Sequence, residues 1–207
     1  MATKVSLLED IWITINTLFI KFETDFFLDT ALAFWIAIEL WIIFRERGQI
    51  NNFEDKGSRK RIVSAILFSM VVCILMLPYR ITPVFHSEYL ASRIGSALIC
   101  IGVLLRIWSV ITLGNYFRST VMIQRGHRFI NSGPYRFVRH PSYTALLIIV
   151  VGVGMVANNL FAIIVMFLTA YWGVAQRVIV EESVMGEKFG KEYDGYRKCV
   201  KRFIPLI

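Results

Sequence analysis

At 207 residues, 56% hydrophobic, only 18% charged and with a mean hydropathy of +0.58, the chain is more apolar than soluble domains, which run at roughly 45–50% apolar and 25% charged. Its net charge of +8 is carried by basic residues lying between apolar runs, which argues for the cytoplasmic side of a membrane and against nucleic acid. Three cysteines, two of them in apolar runs (Cys73 and Cys100), give neither a disulfide framework nor a CxxC metal pattern, and the opening MATKVSLLED does not read as a secretory signal.

Taken from the start, Val5 to Phe22 reads as an amphipathic helix with Leu7, Leu8, Ile11, Trp12, Ile15, Leu18, Phe19 and Phe22 on one face. It packs on a bundle or lies in the interface, or else it crosses; the first is preferred. Spanning a bilayer takes about 20 apolar residues in a helix. Five stretches qualify: Phe26 to Phe44, Ile62 to Leu77, Ile94 to Leu113, Ser142 to Ala157 and Leu160 to Ala175. Only Asn158-Asn159 separates the last two, so they form a tight hairpin. The runs are continuous rather than alternating, which favours helices over a barrel.

The expected fold is therefore all-α: a polytopic membrane bundle of about five transmembrane helices, with an N-terminal helix and a cytoplasmic helical tail. It divides into residues 1–25 (N-terminal helix), 26–113 (first three spans) and 114–207 (a core of loop, hairpin 142–175 and tail). Lys and Arg number six in 45–61, five in 114–141 and seven after Ala175, against two (Arg80 and Arg93) and none in the opposing connections. The positive-inside bias then puts the long loops and the carboxyl terminus in the cytoplasm. Asp29, Glu39 and Arg106 are costly in hydrocarbon. Arg106 is either a site group or the partner of Glu39.

The connector after the third span is too aromatic and too basic to be passive, and at about 28 residues it is more often functional than idle. At its end, Arg139-His140-Pro141 places a proline where the next helix begins. The amides of Ser142 and Tyr143 are then expected as free donors for an anion. The competing reading makes Arg139 a headgroup anchor. In the tail, Arg177 and Glu181 share a helical face with Glu182 beside them. They form either a surface ion pair or a site in which the carboxylates hold ribose hydroxyls, an ammonium or a sulfonium while Arg177 holds an anion. His86, His127 and His140 have no metal-ligand spacing, and there is no Gly-x-Ser-x-Gly elbow or phosphate loop. Gly152 and Gly154 read as helix packing. The chemistry expected needs neither a metal nor a covalent nucleophile.

In these residues the sequence resembles the isoprenylcysteine carboxyl methyltransferase family, within the wider group of membrane phospholipid methyltransferases. The resemblance is carried by Gly133-Pro134-Tyr135, Arg139-His140-Pro141-Ser142-Tyr143, Arg177 with Glu181-Glu182, Phe189-Gly190, Tyr193, Tyr196 and Pro205. It covers Leu113 to Pro205, and the short chain looks like the compact microbial form. The resemblance implies an S-adenosylmethionine site without a Rossmann fold. Gln124, His127, Arg128, Phe129, Ile130, Tyr135, His140, Pro141, Ser142 and Tyr143 would line it, with Glu181 and Glu182 contributed by the tail. Arg177 would face the methyl acceptor and, with Glu181, carry catalysis. The implied partners are the bilayer and a lipophilic acceptor, the carboxylate of a prenylated cysteine or a similar acid, with no nucleic acid and no metal. A phospholipid amine or small thiol acceptor, or a non-enzymatic scaffold or transporter component, stays open at this point.

Overall fold

A computed structural model describes residues 58–76, 82–117 and 130–204, together with the isolated helical positions Ala33, Ile36, Ala37 and Leu40. Five helices are found there: α1 (Ser58–Met76), α2 (Glu88–Leu113), α3 (Pro141–Val156), α4 (Leu160–Phe189) and α5 (Lys191–Cys199). Two single 3-10 turns, Gly114–Tyr116 and Gly133–Arg136, close α2 and lead towards α3. Among the described residues there is no β-strand, only a bridge between Val138 and Lys201. The expected N-terminal helix and first span lie almost wholly outside the described residues.

Two helices, α2 and α4, are long and apolar enough to cross a membrane, and α3 is a shorter apolar helix. In α1 the first turn carries Arg59, Lys60 and Arg61, while Ile62–Met76 has no charge. Large apolar side chains remain exposed along the helices, among them Leu67, Phe68, Leu104, Ile111, Phe161, Leu168 and Trp172. An exposed apolar surface of that extent suits lipid and not water.

Packing runs in the order α2–α3–α4–α1. Ile99, Val103, Leu146, Ile149, Val150, Met166, Val174 and Val178 form its core. Lipid offers little hydrophobic drive for helix association, so close backbone approach has to supply it. Gly152 of α3 supplies it against α2: a Cβ there would sit 2.8 Å from the Gly95 carbonyl oxygen and 2.8 Å from Ile99. The reading of Gly152 as a packing residue thus has its physical cause. Between α1 and α4, Gly173 lies against Ala65, and Ser69 is hydrogen-bonded to Thr169.

Helix α2 starts at Glu88, six residues before the expected Ile94, because Ser87 caps it by accepting from the Leu90 amide at 3.3 Å. The α3–α4 turn follows the expected two asparagines. Asn158 takes φ +48°, and Asn159 caps α4 by accepting from the Ala162 amide. Asn158 also accepts from the amides of Val84 and Phe85, tying the preceding loop to the hairpin.

The expected span ending near Ala175 and the expected helix carrying Arg177 and Glu181 are one unbroken element, α4. Its 30 residues rise about 45 Å at 1.5 Å each, well beyond a hydrocarbon core of about 30 Å. One rigid rod therefore carries the apolar hairpin and the charged Arg177–Glu182 segment. Replacing Gly152 by Val should force α2 and α3 apart at a cost of about 1–3 kcal/mol. Thermal unfolding in micelles should show a lowered Tm; an unchanged Tm would contradict the close contact.

Candidate functional site

The site is assembled where α4 leaves its apolar half, at the first turn of α3. Pro141 opens α3, and the His140 carbonyl accepts from the Tyr143 and Thr144 amides at 3.1 and 3.0 Å. The Tyr143 amide is thus already bonded, contrary to the expectation of a free donor, because the first turn tightens onto the nearest carbonyl. Arg106 reaches across from α2 and donates to the Ser142 hydroxyl at 2.7 Å and to its carbonyl at 3.3 Å. The expected partner Glu39 lies outside the described residues.

Facing this turn, Arg177 of α4 is buried and donates through Nε to the Tyr143 hydroxyl at 3.1 Å. Glu181, one turn further along α4, comes within 4.0 Å of His140 Nδ1 through Oε2. That oxygen is sealed from solvent and has no hydrogen-bond partner among the described residues, although the Glu181 side chain as a whole is 34% exposed and interacts with the Tyr143 hydroxyl. An acceptor buried without a donor is uncommon in folded proteins and calls for a partner.

Glu182 lies differently from the expected cofactor contact. Its enclosed carboxylate accepts from Arg139 Nε at 3.1 Å and His140 Nε2 at 3.1 Å on Oε1, and from Arg202 Nη2 at 2.7 Å on Oε2. Burial alone would raise this carboxyl, but the hydrogen bonds from His140 and Arg202 and the Arg139 guanidinium hold it well below the usual carboxylate range. Arg139 is correspondingly turned inward rather than out to headgroups, and it also donates to the carbonyls of Val200 at 2.7 Å and Arg197 at 2.9 Å.

The segment after α5 runs beside residues 138–140 like a strap. The amides of Arg139 and His140 donate to the carbonyls of Lys201 (2.7 Å) and Arg202 (3.0 Å), and the Thr144 hydroxyl donates to the Phe203 carbonyl (3.0 Å). Phe203 packs beside both His140 and Tyr171. Tyr135 is buried in the 3-10 turn, where burial and the Glu181 charge raise its hydroxyl pKa well above the usual value. Its carbonyl accepts from the Tyr196 hydroxyl, which burial pushes up to about 12, so Tyr196 stays a donor at neutral pH.

Of the expected site residues, the fold thus gathers Tyr135, His140, Pro141, Ser142, Tyr143, Arg177, Glu181 and Glu182 around one helix start. Ile130 is half-buried at the edge of the described residues, while Gln124, His127, Arg128, Phe129 and the motif residue Pro205 lie outside them. Sequence reasoning missed the inward role of Arg139, and it missed Arg202 altogether. The signal available was Glu182 itself, an acid beside another acid that needs cations if it is buried.

Glu182 in an unfolded chain protonates near 4.5, and in the fold only well below that. Its contribution to stability is therefore complete above about pH 4.5 and is lost as the pH falls through the lowered folded value. Amide exchange over residues 138–144, corrected for intrinsic rate, should stay constant from pH 7 to 5 and rise only in stronger acid. Loss of protection already at pH 6 would contradict the pairing.

The profile of the isoprenylcysteine carboxyl methyltransferase family matches residues 95–187. A protein-S-isoprenylcysteine O-methyltransferase of Schizosaccharomyces pombe is 32% identical over 185 residues, covering 88% of this chain and 71% of the yeast one. Protein-S-isoprenylcysteine O-methyltransferase B of Arabidopsis thaliana is 28% identical over 195 residues, covering 89% and 99%. A solved structure of the eukaryotic intramembrane Ras methyltransferase, isoprenylcysteine carboxyl methyltransferase, superposes with a TM-score of 0.59 at 25% identity. That superposition covers 70% of this chain and 52% of the other, so the chain spans about half the length of the solved protein.

Proposed function

Because the chain belongs to the isoprenylcysteine carboxyl methyltransferase family, we propose that the turn joining His140, Arg177 and Glu181 is where it transfers a methyl group to a lipophilic carboxylate. The chain is a membrane carboxyl O-methyltransferase. The acceptor on this reading is the free carboxylate of a prenylated cysteine, or an acid of similar shape, and the donor is S-adenosylmethionine. The reading is carried by one observation: an anion seat (Arg177) and an orphaned acceptor (Glu181 Oε2) stand one helical turn apart, on the rod that leaves the apolar layer.

The residues present fit the donor. Glu181 Oε2 and His140 Nδ1 are acceptors facing each other at 4.0 Å, matched to N–H or O–H groups such as an ammonium or a ribose diol. Ile130, Tyr135, Pro141, Ser142 and Tyr143 would line the remainder, and the family resemblance adds Gln124, His127, Arg128 and Phe129. When bound, S-adenosylmethionine supplies a sulfonium methyl: an O–CH3 bond forms on the acceptor as the S–CH3 bond breaks, leaving that electron pair on sulfur.

A carboxylate is already ionised at neutral pH and needs no general base. The chain's own task is to desolvate and aim it. Arg177 can grip a carboxylate with its planar fork, while its bond to Tyr143 fixes the fork's direction. An amine acceptor would instead be repelled by this guanidinium, which favours an anion.

Five spans, with the 114–207 methyltransferase core opening to the cytoplasm and residues 1–25 and 26–113 as membrane support, remain our reading of the whole chain. It rests on the distribution of basic residues. A polar donor then arrives from water and the prenyl tail from lipid, so the two meet at the layer's edge.

Radiolabelled methyl transfer from S-adenosylmethionine to acetyl-farnesylcysteine, with phospholipid extracts in parallel, tests the reading. The cysteine carboxylate should be labelled and the phospholipids should not. Arg177→Ala should lower turnover by about two orders of magnitude with folded yield retained. Glu181→Ala should abolish transfer likewise. Wild-type turnover in either purified variant would overturn the assignment.

A further inference from the structure

The Glu182 clamp has a consequence for the ring it holds. An ionised carboxylate only accepts hydrogen bonds, and two guanidiniums keep Glu182 ionised. The proton in the 3.1 Å contact with His140 must therefore sit on Nε2. In a neutral imidazole the other nitrogen is then an acceptor. His140 Nδ1 has no partner at hydrogen-bond distance among the described residues; its nearest polar neighbour is the orphaned Glu181 Oε2 at 4.0 Å. Even a protonated ring would not close that gap, since 4.0 Å is beyond a hydrogen bond. Glu181 is in hydrogen-bonding reach of the Tyr143 hydroxyl, but its Oε2 and the His140 Nδ1 face one another with no described donor between them.

We propose that Glu182, held by Arg139 and by Arg202 of the C-terminal strap, is a positioning residue that fixes His140 in its Nε2–H form. His140 Nδ1 and Glu181 Oε2 then jointly accept from one donor-bearing group of the bound methyl donor, an ammonium or a ribose diol. The strap is on this account part of the donor site without touching the donor. It reaches the ring three ways: through Arg202 on Glu182, through the Arg202 carbonyl on the His140 amide, and through Phe203 beside the imidazole. The inference rests on reading the site as a methyl-donor site.

The test uses the full-length protein in micelles. Calorimetry with S-adenosylhomocysteine on the wild type first checks the underlying reading, and absence of binding there would sink that reading itself. Given binding, Glu182→Gln and Arg202→Ala should each weaken it roughly tenfold or more, while the KM for acetyl-farnesylcysteine stays put. Arg202 is 47% exposed, so its loss should leave the folded yield intact, and Arg202→Lys should recover most of the affinity. Nitrogen-15 spectra of histidine-labelled protein, assigned by His140→Gln, should show an unprotonated Nδ1 that becomes hydrogen-bonded on adding S-adenosylhomocysteine. In Glu182→Gln, whose amide can either accept or donate, the two tautomers should mix.

Methylthioadenosine, which keeps the ribose diol and lacks the ammonium, identifies the donor group. If the variants lose affinity for it too, the diol is seated there; if only S-adenosylhomocysteine suffers, the ammonium is. Unchanged affinity for both compounds in both variants would overturn the proposal, as would an Nδ1–H tautomer in the wild type.

Discussion

One enclosed carboxylate organises the described site of this protein. Glu182 stands on α4, yet its partners come from the connector before α3 (Arg139 and His140) and from the strap after α5 (Arg202). An uncompensated charge at that depth would cost several kcal/mol, and it is the two guanidiniums and the imidazole N–H that compensate it. Such a pair is weak evidence for stability, since two apolar residues could pack there as well. Its value lies in geometry: it dictates which way the imidazole points and hence what the neighbouring Glu181 can share a ligand with.

The second constraint is length. A helix that stopped at the hydrocarbon boundary would leave its charged end to be placed by a loop. Instead α4 continues without a break, and the residues that face lipid and those that face the polar site are set by a single rod. Arg177 sits at the join, buried among apolar neighbours but bonded to a tyrosine. On the proposed reading, this join is where a donor from water and an acceptor from lipid meet. The glycine contact between α2 and α3 brings Arg106 close enough to hold Ser142, so the first turn of α3 is fixed from both flanks.

Much of this was legible in the sequence, for identifiable reasons. Apolar runs of spanning length, the Asn158-Asn159 turn and Pro141 as a helix start are local signals, and each marks its element. The continuation of α4 past Ala175 was not legible by hydropathy, which registers a change of surroundings and is blind to unbroken hydrogen bonding through a polar stretch. The grouping of His140, Arg177 and Glu181 was expected from the family resemblance of the motifs that carry them, since each motif alone also reads as a headgroup anchor or a surface ion pair. The separate surroundings of Glu181 and Glu182 were not legible: adjacent acids look alike in a string of letters, and only helical rotation turns one to the strap and the other to His140 Nδ1 and Tyr143. Arg202 was invisible for the same reason, being one more basic residue in a basic tail.

The account turns on one ligand shared by Glu181 Oε2 and His140 Nδ1. An experimental structure of the protein bound to S-adenosylhomocysteine is its most direct test. A nitrogen or hydroxyl of the ligand within about 3.2 Å of both Glu181 Oε2 and His140 Nδ1, with the sulfur turned towards Arg177, is the predicted result. A ligand seated elsewhere, with those two atoms still facing each other alone, would contradict it.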